Sequence, residues 1–224
     1  MTNPASRPAT AFVGLGAIGT PMARHLAGAT SLAVWNRTQA KATSFARLAG
    51  AREATSPSDA AEGAEFFVTC LPTSAQVDEI LFGPDGAAAH LKPGALVIDC
   101  TSGDPATSRS IADRLSAYAI DFIDAPVSGG VVGAEAGTLT VMVGGSTALL
   151  KKARPLLASF AGKIVHCGGV GAGDAVKAVN NALLAVHVWS TAEGLAALVK
   201  LGVDPAVALE VINSSSGRSN TSMN

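Results

Sequence analysis

Charge is what this chain has least of. Only 15% of its 224 residues are charged, 16 basic against 17 acidic, and no extended run of lysines or arginines occurs. That excludes the electrostatic footprint of a nucleic-acid binder, or of a protein drawn to an anionic membrane surface. Cysteine is nearly as scarce. Cys70, Cys100 and Cys167 are odd in number, widely spaced and each at the end of an apolar run. Neither a disulfide framework nor a metal-ligand spacing is visible, so buried small residues in a reducing compartment, and no metal, are expected. Uninterrupted apolar runs are missing too: each is broken by Gly, His or a charge, and the opening MTNPASRPAT lacks the basic-then-apolar order of a secretory signal. No membrane association is therefore expected, and a cytoplasmic location is.

What is abundant is small and apolar. Apolar residues make up 48% of the chain and glycine occurs 24 times, a composition that favours a tightly packed α/β protein over disorder. The net apolar character suggests an interface between copies, in a homodimer or higher homo-oligomer. The length suits one large domain, or one domain and part of another.

The chain is organised around its stretch from Gly168 to Gly202. Glycines lead into a segment from Asp174 to Lys200 that has no proline and a single interruption, Gly194. As a helix it would extend roughly 40 Å at about 1.5 Å per residue. Its apolar positions run nearly all round, through Val179, Leu183, Leu184, Val186 and Trp189. This predicts a buried helix that touches more than one neighbour, a spine between two halves. At its head stand Asp174, Lys177, Asn180 and Asn181. Lys177 and Asn181 are four apart and so project from one face. A helix N-terminus and burial both push a lysine pKa down. Lys177 is thus the acid/base candidate, with Asn180 and Asn181 as candidates for holding substrate. The plainer alternative is a capping Asp174 followed by a solvated lysine.

From the N-terminus, a leader ending near Ala9 gives way to TAFVGLGAIGTPMARHLAGA, which reads as strand, glycine turn and helix. This is the GxGxxG pattern. Gly14 permits the sharp turn, Gly16 lets the backbone approach a pyrophosphate, and Gly19 lets helix and strand sit close, with the helix N-terminus facing the phosphates. The whole turn, Gly14, Leu15, Gly16, Ala17, Ile18 and Gly19, is the candidate cofactor-binding element. A second strand, SLAVW, follows and is closed by Asn36 rather than an acid. Asn36, Arg37, Thr38 and Lys41 offer a neutral donor, two cations and a hydroxyl, a set that suits the 2′-phosphate of NADP(H) over the free hydroxyls of NAD(H). The alternative is ordinary solvated charge at a helix start, although helix starts prefer acids.

Strands and helices then alternate: a helix from Thr38 to Leu48, strand EFFVTC, a helix from Ser74 to Leu81, strand ALVIDC, a helix from Pro105 to Ala117 and strand DFIDA. Alternation with short connections predicts a doubly wound, mostly parallel sheet. Ligands lie at the carboxyl ends of such strands, here Leu71, Pro72 and Thr73 after one, Thr101 and Ser102 after the next. Residues of these types also serve plain strand-to-helix capping. From Phe122 to Gly145 two apolar strands flank a glycine-laden loop with Ser128, Gly129, Gly130, Gly133 and Gly137. Backbone amides freed by glycine, with a serine hydroxyl, make a cradle for a carboxylate; a flexible loop is the alternative. A helix from Ser146 to Phe160 and strand KIVHC complete the first domain.

These motifs together resemble the β-hydroxyacid dehydrogenase family, the group that includes 3-hydroxyisobutyrate dehydrogenase and the glyoxylate/succinic semialdehyde reductases. GLGAIGTPMARHL is similar to its cofactor motif, DAPVSGGVVGAEAGTL to its substrate motif and GVGAGDAVKAVNN to its catalytic segment. The resemblance implies a Rossmann-type domain over residues 1–167. Residues 168–224 would then hold an interdomain helix and the start of an all-α domain for substrate and dimer contacts. It implies Lys177 as catalytic lysine, Asn181 with the Ser128, Gly129 and Gly130 loop on substrate, and Leu71, Pro72 and Ser102 on the nicotinamide cofactor. The expected activity is hydride transfer between NADP(H) and a small carboxylate-bearing β-hydroxy acid or its semialdehyde. Leu184 stands seven after Lys177, where the more distant 6-phosphogluconate dehydrogenases carry a glutamate, which argues against oxidative decarboxylation. Imine reductases, which usually replace the lysine, are the runner-up, and a non-catalytic dinucleotide-binding scaffold is a third reading. Members of the family continue past the point where this sequence stops, so an incomplete copy of the polypeptide is also expected.

Overall fold

A computed structural model describes residues 7–223, so the leader expected before Ala9 lies mostly outside the described residues. The chain divides into two compact units, Met1–Lys177 and Ala178–Asn224.

In the first unit the elements alternate as expected: β1 (Ala9–Val13), α1 (Gly19–Ala29), β2 (Ser31–Trp35), α2 (Gln39–Ala49), β3 (Arg52–Glu53), α3 (Pro57–Ala61), β4 (Phe66–Thr69) and α4 (Ser74–Phe82). They continue with β5 (Leu96–Asp99), α5 (Pro105–Ser116), β6 (Asp121–Asp124), β7 (Val127–Ser128), α6 (Gly130–Ala136), β8 (Leu139–Gly144), α7 (Thr147–Leu157) and β9 (Ala161–Gly168). Helix starts follow the capping chemistry of the sequence: Ser56, Thr73, Asp104 and Ser146 each accept a backbone N–H of the first turn, and Pro57 and Pro105 follow two of these caps.

One nine-stranded sheet runs in the order β3-β2-β1-β4-β5-β6-β8-β7, with β9 paired to β8. From β3 to β6 every pairing is parallel; β8 runs antiparallel to β6 and β7 and parallel to β9. Both faces are covered, which is why the strands read as continuous apolar runs. The alternation is still there. Phe12, Phe66, Val68, Leu96 and Ile98 point into one core, with Met22, Leu26 and Phe160. Ala11, Val13, Phe67 and Val97 point into the other, with Ile111 and Leu115. The winding direction reverses between β1 and β4, the switch point at which such sheets bind ligands.

Three features depart from the sequence reading. The short strands β3 and β7 and the helix α3 had no distinct periodic signal. The glycine-laden segment is no open loop, because from Gly130 to Ala136 it folds as α6, closed by left-handed Gly137. The long helix α8 (Ala172–Lys200) forms over the expected stretch, but burial is confined to its start: among its described residues only Gly173 and Asp174 are buried, and Val179, Leu183, Val186 and Trp189 are exposed. Its all-round apolar surface is that of a helix made to be covered, and among the described residues that surface is largely exposed beyond Asp174. The second unit holds the rest of α8, then α9 (Pro205–Asn213) and α10 (Asn220–Met223). Asp204 caps α9, and the Asn213 amide donates to the Ser222 carbonyl at 2.7 Å, which ties α9 to α10.

Candidate active site

The glycine turn is built by close approach. Gly14 has φ +106°, and a Cβ there would lie 2.2 Å from the Cys70 carbonyl oxygen; at Gly19 it would lie 1.9 Å from that of Gly14. Gly16 is different. It is exposed, and nothing stands within 4 Å of where its Cβ would be. The space left open by its missing side chain, beside the first turn of α1, fits a pyrophosphate.

That space belongs to a groove of about 530 Å³ along the switch point. Of the residues expected to contact cofactor, Gly14, Gly16, Ala17, Ile18, Gly19, Asn36, Arg37, Thr38, Lys41, Leu71 and Pro72 line it. Trp35, Cys70, Gln76, Glu79 and Ile80 line it as well, and sequence reasoning missed them. The last three form one face of α4, at i, i+3 and i+4. The only signal that could have found them is that face, and it becomes meaningful once β4 is known to lie beside β1.

Several expected contacts work inside the protein instead. The Leu15 side chain is buried in the core, and its N–H donates to Asn36 Oδ1 at 2.9 Å. The Asn36 amide nitrogen donates to the Thr38 carbonyl at 3.1 Å, so Asn36 joins the glycine turn to the start of α2. A carboxylate at this position would keep the first bond and lose the second, having no donor. Thr73 caps α4, and buried Thr101 accepts the Leu71 N–H at 3.0 Å; neither lines the groove. Arg37 and Lys41 are exposed and in no ion pair among the described residues, and the first turn of α2 contains no acid.

Three buried carboxylates gather at the carboxyl ends of β5 and β6. Asp99 accepts from the Thr69 hydroxyl at 2.8 Å and the Thr101 N–H at 3.0 Å. Burial, with the Asp174 charge adding to it, pushes its carboxyl up to about 6. Asp124 accepts the Gly171 N–H at 2.7 Å and the Asp174 N–H at 3.0 Å. Asp174 accepts the Gly103 N–H at 3.0 Å and the Ser108 hydroxyl at 2.6 Å. Burial raises its pKa as well. Burial also pushes the Cys70 thiol up to about 12 and that of Cys100 well above its ordinary value, so neither offers a thiolate. Lys177, three residues beyond Asp174, is half-buried, and desolvation lowers its pKa.

The other expected substrate contacts are placed as follows. Ser128 sits on β7 opposite Thr140, and exposed Gly129 and Gly130 follow in left-handed conformations, φ +133° and +62°. The α6 helix beyond them is held by His25 of α1, whose Nε2 lies 3.1 Å from each of the Ala134 and Glu135 carbonyl oxygens. No sequence signal marks that contact. Asn180 and Asn181 are exposed positions on α8 within the second unit.

The sheet order, the glycine turn and the open groove define a Rossmann-type dinucleotide-binding protein. Comparison with known proteins narrows this. Residues 9–169 match the NAD binding domain of 6-phosphogluconate dehydrogenase, and residues 171–224 match a domain described as the NAD-binding of NADP-dependent 3-hydroxyisobutyrate dehydrogenase. An NAD-dependent L-serine dehydrogenase of Pseudomonas aeruginosa is 42% identical over 208 residues, 92% of this chain and 70% of that protein. Human mitochondrial 3-hydroxyisobutyrate dehydrogenase is 39% identical over 215 residues, 96% of this chain and 64% of that protein. The structure of Mycobacterium tuberculosis 3-hydroxyisobutyrate dehydrogenase with L-serine superposes with a TM-score of 0.89 at 35% identity, covering 96% of this chain and 72% of that one. The chain belongs to the β-hydroxyacid dehydrogenase family, and spans between 64% and 70% of the length of these two curated relatives.

Proposed function

We propose that the chain carries the cofactor site and the proton-transfer group of an NADP(H)-preferring hydroxyacid dehydrogenase, acting on a small β-hydroxy acid or its semialdehyde. The observation that carries the reading is the anchoring of Lys177. The turn of α8 that bears it is hydrogen-bonded, through Asp174, to Gly103 in the turn after β5, on the sheet edge where this fold takes its ligands.

A nicotinamide cofactor in the groove supplies or accepts the hydride. The glycine turn would receive its pyrophosphate at Gly16, with Ala17 and Ile18 beside it; Leu71 and Pro72, which line the groove, would flank its nicotinamide half, and Ser102, exposed in the turn after β5 and outside the groove lining, would approach it from there. Arg37, Lys41 and the Thr38 hydroxyl, which makes no capping bond, receive a 2′-phosphate. Ser128, Gly129 and Gly130 hold the substrate carboxylate. Lys177 gives a proton to the developing alkoxide in reduction and takes it from the hydroxyl in oxidation. Its lowered pKa makes the neutral amine available at a lower pH than an ordinary lysine would. Oxidation therefore rises with pH through that pKa, and reduction falls.

The relatives are divided on cofactor, one being named NAD-dependent and one matching domain being described from an NADP-dependent enzyme. The NADP(H) preference rests on the exposed Arg37 and Lys41, which make no ion pair among the described residues, and on Asn36 standing in place of an acid at the end of β2. The reading extends to a homo-oligomer in a reducing, cytoplasmic setting, which three free cysteines suit.

A panel of small hydroxy acids and semialdehydes assayed with both cofactors tests it. Lys177→Ala is expected to lower kcat by about 100-fold or more while cofactor affinity holds, and near-normal turnover would remove Lys177 from the mechanism. Arg37→Ala is expected to weaken NADPH by about 10- to 100-fold, the worth of a charge-assisted contact, and to leave NADH unchanged; equal losses would remove Arg37 from the 2′-phosphate.

A further inference from the structure

We infer that Asp174 is the positioning residue of the Lys177 amine: together with Asp124 it clamps the opening turn of α8 onto the ends of β5 and β6. This rests on the reading of Lys177 as the proton-transfer group.

The clamp is made of four hydrogen bonds. Asp124 Oδ1 accepts from the Gly171 N–H and Oδ2 from the Asp174 N–H, so two amides at the head of α8 are satisfied by a side chain on β6, some fifty residues away in the chain. Asp174 turns its own carboxylate outward from the helix, Oδ1 taking the Gly103 N–H and Oδ2 the Ser108 hydroxyl. One side chain thus binds the turn after β5 and the first turns of α5 to the helix that carries Lys177. There is no slack between the parts. A Cβ on Gly173 would lie 2.2 Å from the Met142 carbonyl oxygen and 2.8 Å from Asp124 Oδ2, so the turn is pressed directly against β8 and the clamp.

Ordinary capping does not account for this arrangement. An exposed Ser or Asp caps a helix at little desolvation cost, as Asp104 and Asp204 do here. Asp174 is 1% exposed and Asp124 fully buried, and burying carboxylates is costly unless each is fully hydrogen-bonded. What the buried pair adds is a fixed origin for the next turn. Lys177 is at i+3 from Asp174, one turn on, and its side chain starts from backbone that can neither slide nor fray. The role is geometric: the four hydrogen bonds fix the backbone from which the Lys177 side chain starts, while desolvation is what lowers the Lys177 pKa. An amide can reproduce the geometry, accepting from Gly103 through Oδ1 and donating to Ser108 Oγ through Nδ2.

Asp174→Ala, Asp174→Asn, Ser108→Ala and Lys177→Ala in the full chain separate the possibilities. Each is read by kcat, by cofactor affinity and by amide hydrogen exchange of residues 171–177. Asp174→Ala is expected to lower kcat by about 100-fold, the scale of an ångström's misplacement, with cofactor affinity unchanged and faster exchange over 171–177. Asp174→Asn is expected to recover most of both losses, and Ser108→Ala to fall between. If the alanine variant fails to fold, Ser108→Ala carries the test alone, since it removes one clamp bond and must still speed exchange and lower kcat. The inference is overturned if Asp174→Asn is as damaged as Asp174→Ala, or if exchange and kcat stay normal when the clamp is cut. A fully active Lys177→Ala would instead sink the reading of Lys177 and take the inference with it. An inactive Lys177→Ala beside an unimpaired Asp174→Ala would sink the inference alone.

Discussion

Single atoms decide the most at the glycine turn, where three glycines in six residues do three different jobs. At Gly14 a methyl group would meet the Cys70 carbonyl in a backbone conformation with φ +106°. Left-handed strain and overpacking together put the cost of Gly14→Ala at about 2 to 6 kcal/mol, a large share of the roughly 5 to 15 kcal/mol that holds an ordinary domain folded. At Gly16 the methyl would enter open space. Gly16→Ala is therefore expected to melt with the unmodified protein when no cofactor is present, yet to bind dinucleotide at least about tenfold more weakly, because the backbone can no longer approach the pyrophosphate. Thermal melts with and without NADPH check both; a Gly16→Ala variant stabilised as fully by NADPH as the parent would contradict the assignment. Asp99 offers a different residue-scale test. Its folded carboxyl is raised from 3.8 to about 6, so between those values the folded chain holds a proton that the unfolded chain has released. Stability from this group is complete below the unfolded pKa and is lost as pH rises through the folded one, about 3 kcal/mol in all. Asp99→Asn removes the titration, and its urea midpoint should fall less than the parent's between pH 4 and pH 7. Asp174, raised in the same direction, leaves a residual slope in both. Identical slopes would show that Asp99 does not carry the shift.

Elements were legible in proportion to how local their causes are. The strands β1, β2, β4, β5 and β6 and the helices between them follow from apolar runs, glycine and caps such as Thr73 and Asp104, and these were read within a few residues. The two-residue strands β3 and β7 exist because longer strands lie beside them, and a pairing partner leaves no mark on the sequence. The helix α6 hid behind its glycines: Gly129 and Gly137 bracket a single short run, GVVGAEA, that has no helical periodicity to show. Of the candidate site, the glycine turn and the Arg37–Lys41 segment were legible because motif and position coincide. The α4 face of Gln76, Glu79 and Ile80 was not, since only the sheet order brings it to the groove. The contact between α1 and α6 is the most testable of the unread features. His25 holds two carbonyls of α6, and a Cβ on Gly137 would sit 3.3 Å from the imidazole. Cutting that tie frees α6 and the Gly129–Gly130 turn ahead of it. His25→Ala should raise the substrate KM by about tenfold, the worth of one or two hydrogen bonds, and leave cofactor affinity untouched. A cofactor defect in place of a substrate defect would mean that His25 serves the glycine turn of its own helix.

At the scale of the molecule the two units differ in what holds them. Residues up to Lys177 enclose two cores on either side of one sheet, whereas α8 beyond that point exposes Val179, Leu183, Val186 and Trp189. A ligand bound only in the groove acts on the stability of the first unit, by an amount set by concentration over dissociation constant. With NADPH at a hundredfold excess over its dissociation constant, that unit gains about 2.7 kcal/mol. For a unit of this size the midpoint should then rise by about 5 to 10 °C. A chain of two units need not unfold in one step, so exchange of the β1 and β4 amides is the cleaner readout, because those strands flank the switch point. NADPH should slow their exchange more than NADH at equal concentration, and Arg37→Ala should bring the two cofactors level. Slower exchange with NADH than with NADPH would mean that Asn36, Arg37 and Lys41 do not select for the 2′-phosphate, and that the end of β2 discriminates by shape rather than by charge.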